Sequence, residues 1–342
     1  MYKVDVTFLE VGDRAGVERY AIARGLVRAD QRPIAVARAG DGNMNVTLRL
    51  MPASGAPIVL KQARPWVAKY EHIPAPFERT LVEAAFYAAV QADPFVADRM
   101  PSVLAVDREN HVLALEDVGG AGDFTTIYDG AAMPAATLAE LLEWLERLAA
   151  VTIGEEQRLV LANREMRELN HEHMFKFPLA ADNGLELDAV TPGLQEAASA
   201  LIVDRAYCAA VETLGKRYLA DGETLVHGDY FPGSWMQTDD GVRVIDPEFC
   251  FPGDAEFDIG ILTGHLVLAA SASTSVSLLG MVSASVERRR LDAARVAGYA
   301  GVEIMRRLIG VAQLPLNHDL DRKRALLQRS RTLLLQPDKG IA

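Results

Sequence analysis

The sequence predicts an α+β protein of two lobes, a small β-rich lobe over residues 1–118 and a larger α-rich lobe over residues 119–342. Two observations lead to this prediction. Residues 33–62 form short runs of apolar and polar residues typical of strands, whereas most later segments have apolar residues at helical spacing. Half of the residues are hydrophobic, so a sizeable core can form, and a length of 342 residues suggests about two domains.

The smaller lobe is expected to contain a meander of strands and few helices. "PIAVARAGDGNMNVTLRLM" and "APIVLKQA" are read as strands, and "HVLALEDVGG" at 111–120 as a strand ending in a loop. Helices are predicted for "GVERYAIARGLV" at 16–27 and for "PFERTLVEAAFYAAV" from Pro76. A strong turn signal separates the first two strands: Gly40-Asp41-Gly42-Asn43.

The larger lobe is expected to be mostly helical. "TLAELLEWLERLAAV" begins with a capping box of Thr137 and Glu140. "TPGLQEAASALIVDRAYCAAVETLGKRYLADG" is read as one helix with Thr191 as its N-cap, Pro192 at its first position and an end near Gly222. After residue 249 the chain again has a helical pattern.

Composition excludes several classes of function. A net charge of −12 argues against a nucleic-acid partner, which requires clustered basic residues. Two cysteines, Cys208 and Cys250, indicate neither a disulfide framework nor a zinc site. Because no stretch of about 18 apolar residues and no leader-like N-terminus occurs, we expect a cytoplasmic protein without a membrane partner.

The stretch "LVHGDYFPGSWMQTDDGVRVIDPEF" at 225–249 contains the strongest chemical signal. We predict two strands joined by a tight turn at "TDDG", which would bring Asp229 close to Asp246 and Glu248. Carboxylates held together repel one another unless a cation lies between them, so a magnesium–nucleotide site is one interpretation. The alternative is a solvated acidic strand end. His227 is interpreted as a residue that braces the loop.

The smaller lobe supplies a positive charge. Lys61 lies in an apolar strand, where a lysine is costly unless it is paired, and Glu83 on the next helix is a candidate partner. A glycine-rich turn, a strand lysine with a helix glutamate, and two later aspartates are the parts used by protein kinases. No Walker A motif is present, which argues against a P-loop enzyme.

These motifs resemble the aminoglycoside phosphotransferase and choline kinase-like superfamily, through "HGDYFPGSWM", "VIDPEF" and "EFDIG". The closest likeness is to 5-methylthioribose kinases, supported by "GDGNMN", "VLKQARPW" and "EIMRRLIGVA". The resemblance implies a two-lobed protein-kinase-like fold, ATP and Mg²⁺ as cofactors, and a homodimer. The resemblance is weaker in the loop after Asp229, which would flank the acceptor hydroxyl. This loop reads Tyr230-Phe231-Pro232 where those enzymes usually carry Leu-His-Thr.

The resemblance also implies a role for individual residues. Asp229 would orient the acceptor hydroxyl, and Arg306 and Arg307 would contact the sugar and the transferring phosphoryl group. Asp246 and Glu248 would bind Mg²⁺. The nucleotide site would include Gly40, Asp41, Gly42, Asn43, Lys61, Glu83, the hinge residues Glu116, Asp117 and Val118, and Ser234, which stands where the superfamily has Asn.

The resulting hypothesis is an ATP- and Mg²⁺-dependent small-molecule kinase that transfers the γ-phosphoryl group to a hydroxyl of a sugar-like substrate. 5-Methylthioribose is the first candidate. Tyr230, Phe231 and Trp235 could stack on this substrate or could pack in the core. The alternatives are an antibiotic phosphotransferase acting on an aminoglycoside or nucleoside drug, and a non-catalytic pseudokinase-type binding module.

Overall fold

The computed structural model describes residues 6–337 except 41, 43, 120–121 and 270–274. The strands of the described chain are Ile34–Arg38 (β1), Val46–Pro52 (β2), Ile58–Gln62 (β3), Trp66–Val67 (β4), Tyr70–Pro74 (β5), Val103–Asp107 (β6), Val112–Glu116 (β7), Gly122–Asp123 (β8), Thr224–Val226 (β9), Trp235–Thr238 (β10), Gly241–Val244 (β11) and Phe251–Gly253 (β12). The α-helices are Arg14–Ala23 (α1), Arg79–Val90 (α2), Pro94–Ala97 (α3), Ala135–Ala149 (α4), Glu155–Leu161 (α5), Arg164–His171 (α6), Leu187–Val190 (α7), Leu194–Ile202 (α8), Arg205–Leu219 (α9), Glu256–Ala269 (α10), Ser275–Arg288 (α11), Ala293–Ile309 (α12) and Leu320–Leu335 (α13).

The N-terminal lobe is built on an antiparallel sheet in the order β1-β2-β3-β7-β6. Side chains of β7 alternate between two hydrophobic clusters, because successive residues of a strand point to opposite faces. Val112 and Ala114 pack with residues of α1, whereas Leu113 and Leu115 pack with residues of α2. Lys61 of β3 lies opposite Leu113 in the register. The lysine is therefore on the α2 side of the sheet.

The C-terminal lobe is mostly helical, which confirms the expected α+β class. The division at residue 118 stays a prediction. None of the described helices has an apolar stretch long enough to cross a lipid bilayer.

Two predicted helix starts are wrong. Helix α4 begins at Ala135 after Pro134, so Thr137 lies inside its first turn and does not cap it. The long helix predicted from Thr191 is two helices, α8 and α9, and Thr191 follows the end of the short helix α7. The interruption before α9 is explained by Asp204, whose carboxylate accepts hydrogen bonds from the first backbone N–H groups of that helix.

The acidic stretch folds differently from the single hairpin that we predicted. "TDDG" is indeed a tight turn, but it joins β10 to β11. Strand β9, which precedes Asp229, pairs instead with β12, which follows Glu248. The two pairs together still hold both acidic loops at one end of the unit, as the contacts below show.

Helices α10 and α12 cross at a very short distance because α10 has glycines at the contact. A Cβ atom added to Gly260 would lie 2.5 Å from the Cβ of Tyr299, and one added to Gly264 would lie 3.0 Å from the Cβ of Glu303. Every residue of α12 from Val296 to Ile309 is buried. This crossing therefore places Glu303 and the two following arginines inside the C-terminal lobe.

Candidate active site

Lys61 joins the two lobes. Its Nζ lies 2.7 Å from Oε2 of Glu83 on α2 and 3.0 Å from Oδ1 of Asp246 in the loop after β11. Oε1 of Glu248 is 3.9 Å away. The predicted partnership of Lys61 with Glu83 is thus present, and the lysine is brought to two of the three acidic residues of the C-terminal motif.

Glu248 is held by a chain of polar contacts from the N-terminal lobe. Nδ2 of Asn45 donates to Oε2 of Glu248 at 2.7 Å, and Nε of Arg79 donates to Oδ1 of Asn45 at 2.8 Å. Arg79 is fully buried, and its remaining N–H groups donate to the backbone oxygens of Met44, Arg64, Pro76 and Trp66. On the other side, the backbone oxygen of Glu248 accepts from Nδ2 of Asn163. Glu248 is therefore fixed from both lobes.

Three acidic groups lie around Lys61. Burial alone would lower the pKa of Lys61, but the carboxylates of Asp246, Glu248 and Glu83 raise it well above its ordinary value, so the lysine stays charged. Burial raises the pKa of Glu83 to about 8 and also raises that of Glu248. Arg79 also lies near Glu248, with its Nε 3.7 Å from Oε2, so the exposed carboxylate of Asp246 is the group best placed to take up a further cation.

The donor set fits a magnesium ion bound together with phosphate oxygens. Mg²⁺ is usually held by one or two carboxylates plus phosphates and water, and it does not need a full protein cage. The side chain of Asp246 is 46% exposed, so its carboxylate is accessible from the cleft. Among the described residues no group of three or more His, Cys, Asp or Glu side chains could hold a metal ion alone.

Asp246 has an unusual backbone conformation. Its φ and ψ angles are 63° and 51°, in the left-handed region that few non-glycine residues adopt. Asp is one of the residues that tolerate this region, at a cost of about 1–3 kcal/mol when other contacts impose it. Such local strain is concentrated at functional sites, which agrees with the role predicted for Asp246.

The loop that carries Asp229 is held by a buried carboxylate that we did not predict. Asp258 on α10 accepts hydrogen bonds from the backbone N–H groups of His227 at 2.6 Å and Gly228 at 3.0 Å. Gly228 has a φ of 89°, and a Cβ atom there would lie 2.0 Å from the backbone oxygen of Phe249. Only glycine fits this bend, which turns the chain sharply before Asp229.

His227 braces the same loop, as we expected for this residue. It is fully buried, its Nε2 is 2.9 Å from the backbone oxygen of Ile245, and its Nδ1 accepts from the backbone N–H of Asp229 at 3.4 Å. Burial lowers the pKa of His227 to about 4, so the imidazole is neutral at pH 7. A neutral ring with its proton on Nε2 satisfies both contacts. The histidine thus links the Asp229 loop to the Asp246 loop.

Arg306 and Arg307 of α12 both reach Asp229. Their Nη2 atoms lie 3.1 Å and 3.2 Å from the same oxygen, Oδ1. Behind them, the fully buried Glu303 accepts from Nε of Arg306 and, at 2.7 Å, from Nε of Arg307. All hydrogen bonds of the Asp229 carboxylate within the described chain fall on Oδ1. Oδ2 has no hydrogen bond within the described chain, and the side chain is 23% exposed.

The three predicted substrate-contacting aromatic residues separate into two groups. Tyr230 and Trp235 are fully buried in the core, and Tyr230 stacks on Trp144 at 5.3 Å and donates to the backbone oxygen of Leu141. Packing therefore accounts for these two, and the prediction that they contact the substrate is wrong. Phe231 is half-buried, with the guanidinium of Arg307 4.8 Å from its ring centre. It remains the aromatic candidate beside the acceptor.

The contacts of the other predicted nucleotide-site residues do not by themselves indicate a nucleotide. Asp41 and Asn43 lie outside the described residues, and Gly40 and Gly42 lie in the turn between β1 and β2. At the predicted hinge, Glu116 accepts from the backbone of Ser102 and Asp117 forms an ion pair with Arg49, while Val118 is half-buried. Ser234 donates to the backbone oxygen of Asp229 at 3.0 Å, so its hydroxyl stabilises the loop. Nucleotide contacts of these residues stay predictions.

The sequence interpretation missed the residues that hold the site residues in place: Asn45, Arg79, Asp258 and Glu303, and also His265, whose Nε2 lies 2.9 Å from Oε1 of Glu303. Charged residues within otherwise apolar helical runs were an available signal. Glu303 lies in "YAGVEIMRRLIG" and Asp258 in "EFDIGILTG", positions where an isolated charge is costly unless it is paired. Their partners could not be identified from spacing alone, because they lie on other elements.

Comparison with known proteins identifies the family of this chain. The sequence profile of the phosphotransferase enzyme family matches residues 58–293, well over half of the chain. The chain is 30% identical over 285 residues to the methylthioribose kinase of Pectobacterium atrosepticum, covering 80% of this chain and 70% of that protein. It is 25% identical over 347 residues to the methylthioribose kinase of Exiguobacterium sibiricum, covering 88% and 86%.

Solved structures show the same fold at low sequence identity. A choline/ethanolamine kinase family protein from Mesorhizobium loti superposes with a TM-score of 0.52 at 17% identity, covering 96% of each chain. The amicoumacin kinase hAmiN superposes with a TM-score of 0.52 at 12% identity, covering 96% of this chain and 95% of that one. The chain therefore belongs to the phosphotransferase enzyme family and is a small-molecule kinase that phosphorylates a hydroxyl group with ATP.

Proposed function

We propose that this kinase phosphorylates an uncharged sugar-like acceptor, with 5-methylthioribose as the first candidate. The observation that carries the proposal is the pair of arginines on Oδ1 of Asp229, which leaves Oδ2 to receive the acceptor hydroxyl. The named relatives that cover most of this chain are methylthioribose kinases, which supports the same acceptor class.

Charge at the acceptor side favours a neutral substrate. Asp229 and Glu303 carry two negative charges and Arg306 and Arg307 two positive charges, so this group of four is neutral as a whole. A polycationic aminoglycoside would have to approach two guanidinium groups without a surplus of acidic residues in this group to attract it. The antibiotic alternative is therefore the second candidate.

In the proposed reaction the acceptor oxygen forms a bond to the γ-phosphorus as the bond from that phosphorus to the β–γ bridging oxygen breaks. ADP leaves, and the hydroxyl proton passes to Oδ2 of Asp229. Lys61 would contact the ATP phosphates, and Arg306 and Arg307 would stabilise charge on the transferring group. Mg²⁺, held by Asp246 and Glu248, would neutralise phosphate charge when bound.

A coupled assay for ADP release tests the acceptor. Purified protein with Mg·ATP would be given 5-methylthioribose, ribose, choline, kanamycin and a nucleoside. We expect turnover with 5-methylthioribose well above the rate without acceptor. Turnover confined to kanamycin or the nucleoside would establish the antibiotic alternative instead.

A variant of Asp229 tests the assigned chemistry. Asp229→Ala should reduce kcat by about 10²–10⁴-fold, the usual contribution of a positioned acid or base, while ATP binding persists. Full activity of Asp229→Ala would exclude the proposed role. The homodimer and the cytoplasmic location stay predictions, and light scattering of the purified protein would measure the first.

A further inference from the structure

A buried chain of polar side chains lies behind the arginine pair. The hydroxyl of Tyr128 is 2.6 Å from Nδ1 of His265, and Nε2 of His265 is 2.9 Å from Oε1 of Glu303. His265 and Glu303 are fully buried, and Tyr128 is 7% exposed. Such a network is costly unless all its members are paired, and here each ring nitrogen of the histidine has a partner.

Glu303 divides its two oxygens between the two arginines. Oε2 accepts from Nε of Arg306, and Oε1 accepts from Nε of Arg307 at 2.7 Å while also contacting His265. The inner edge of each guanidinium is thereby fixed to one carboxylate. The outer nitrogens of both then meet on a single oxygen of Asp229.

This geometry determines how the Asp229 carboxylate is turned. Two planar guanidinium groups fixed at Nε present their Nη2 atoms in set directions, and both attract Oδ1. Rotation of the Asp229 carboxylate would break two charge-assisted hydrogen bonds at once. Glu303 does not contact Asp229, yet through the two arginines it determines which carboxylate oxygen of Asp229 would face the acceptor.

We propose that Glu303, held in place by His265 and Tyr128, is a positioning residue that orients Asp229 through Arg306 and Arg307. The proposal rests on the role assigned to Asp229 above. Nothing in it requires Glu303 to touch the substrate or ATP.

The substitution Glu303→Gln tests this directly. Glutamine keeps the size of the side chain but offers one oxygen, and its amide N–H groups oppose those of the second arginine. We expect kcat to fall by about 10–100-fold, since a misplacement of about 1 Å costs about 10²-fold. KM for ATP should change less than about two-fold, because Lys61 and Asp246 are untouched.

A graded series separates positioning from general damage. His265→Gln should lower kcat less than Glu303→Gln does, and Tyr128→Phe should lower it least. The expected order follows the number of hydrogen bonds that separate each side chain from the two arginines. The matched control is Glu256→Gln, which weakens the ion pair of the buried Glu256 on α10 with the half-buried Arg295 on α12, 3.1 Å apart. That variant should lose a comparable amount of thermal stability and keep its kcat.

The outcomes distinguish this proposal from the proposed acceptor. All variants would be assayed on 5-methylthioribose, or on whichever acceptor of the panel wild type uses, so a wrong acceptor does not prevent the test. A wild-type kcat in Glu303→Gln, or an equal loss in Glu256→Gln, would overturn the positioning role. If Glu303→Gln does not fold, His265→Gln decides: a lower kcat at constant KM for ATP supports the proposal, and an unchanged kcat refutes it.

Discussion

Lys61 is the residue on which most of the charge in the cleft depends. It is 3% exposed and faces Glu83, Asp246 and Glu248. A buried ion pair contributes little compared with apolar packing, but removal of one partner leaves an uncompensated buried charge. The pairing of Lys61 with Glu83 could be predicted from the sequence, because a lysine within an apolar strand is costly unless a carboxylate lies beside it.

Replacement of the lysine should therefore destabilise the protein as well as weaken nucleotide binding. We expect Lys61→Met to lower the free energy of unfolding by about 3–5 kcal/mol and to raise KM for ATP. Urea denaturation and steady-state kinetics measure the two effects. Lys216→Met, which removes an exposed pair with Glu212 on α9, is the control and should change neither. Equal stability of the two variants would contradict the prediction.

His227 gives the fold a dependence on pH. Its pKa is about 4 in the folded protein because of burial, against about 6.5 in an unfolded chain. Between these values the unfolded chain binds a proton that the folded protein does not, so this contribution to stability is complete above pH 6.5 and is lost as the pH falls toward 4.

The variant His227→Gln isolates this effect. Between pH 7 and pH 5, wild type should lose about 2 kcal/mol of unfolding free energy more than the variant does. Urea denaturation of both proteins at pH 7, 6 and 5 measures the difference. If the unfolding free energies of wild type and His227→Gln differ by the same amount at all three pH values, His227 does not titrate as described.

At the scale of elements, the sequence predicted which segments are helices and strands better than how they pair. Strands β1, β2, β3 and β7 and helices α1 and α2 lie where the apolar periodicity placed them, whereas strand β6 was not predicted. The pairing of β9 with β12 was missed, because the tight turn at "TDDG" is a strong local signal and β12 is only three residues long. The break before α9 was missed because an aspartate at position 204 could equally lie on the exposed face of a continuous helix, and only the structure shows that it caps α9.

The glycines of α10 provide a test of the helix crossing. Gly260→Ala would place a methyl group 2.5 Å from Tyr299 and should destabilise the protein by about 1–3 kcal/mol. Gly280→Ala on α11 meets no atom within 4 Å and should stabilise it by about 0.5–1 kcal/mol, because alanine favours helix more than glycine does. Thermal melts of the two variants should therefore shift in opposite directions. A stabilised Gly260→Ala would show that the helices are further apart.

At the scale of the whole molecule, the cleft is assembled from residues that are distant in the chain. Asn45 and Glu248, which share a hydrogen bond, are 203 positions apart. The sequence could indicate that a lysine from one lobe and acidic residues from the other belong to one site, since the order of motifs resembles kinases. It could not indicate the supporting contacts of Arg79, Asp258 and Glu303, which depend on three-dimensional packing.

Binding of Mg·ATP between the lobes should raise the melting temperature. A ligand at about 100 times its Kd adds about 2.7 kcal/mol, and we expect a smaller shift with ATP and EDTA. In Asp246→Asn the difference between these two conditions should largely disappear, because the accessible carboxylate is lost. Differential scanning fluorimetry measures all four melts. An Asp246→Asn protein that keeps the full magnesium-dependent shift would show that Asp246 does not bind the ion.

Asn45 has a consequence of its own under the proposed function. This residue follows the glycine-rich turn, and its single amide contacts both Arg79 and Glu248. A nucleotide that moves the turn would therefore also disturb the acid assigned to the ion, so the two ligands should be thermodynamically coupled. Such coupling is reciprocal: each ligand changes the affinity of the other by the same factor. Asn45→Ala should remove the part of this coupling that passes through the amide and leave the part due to direct contact between the ion and the phosphates, which titrations of each ligand with and without the other would measure.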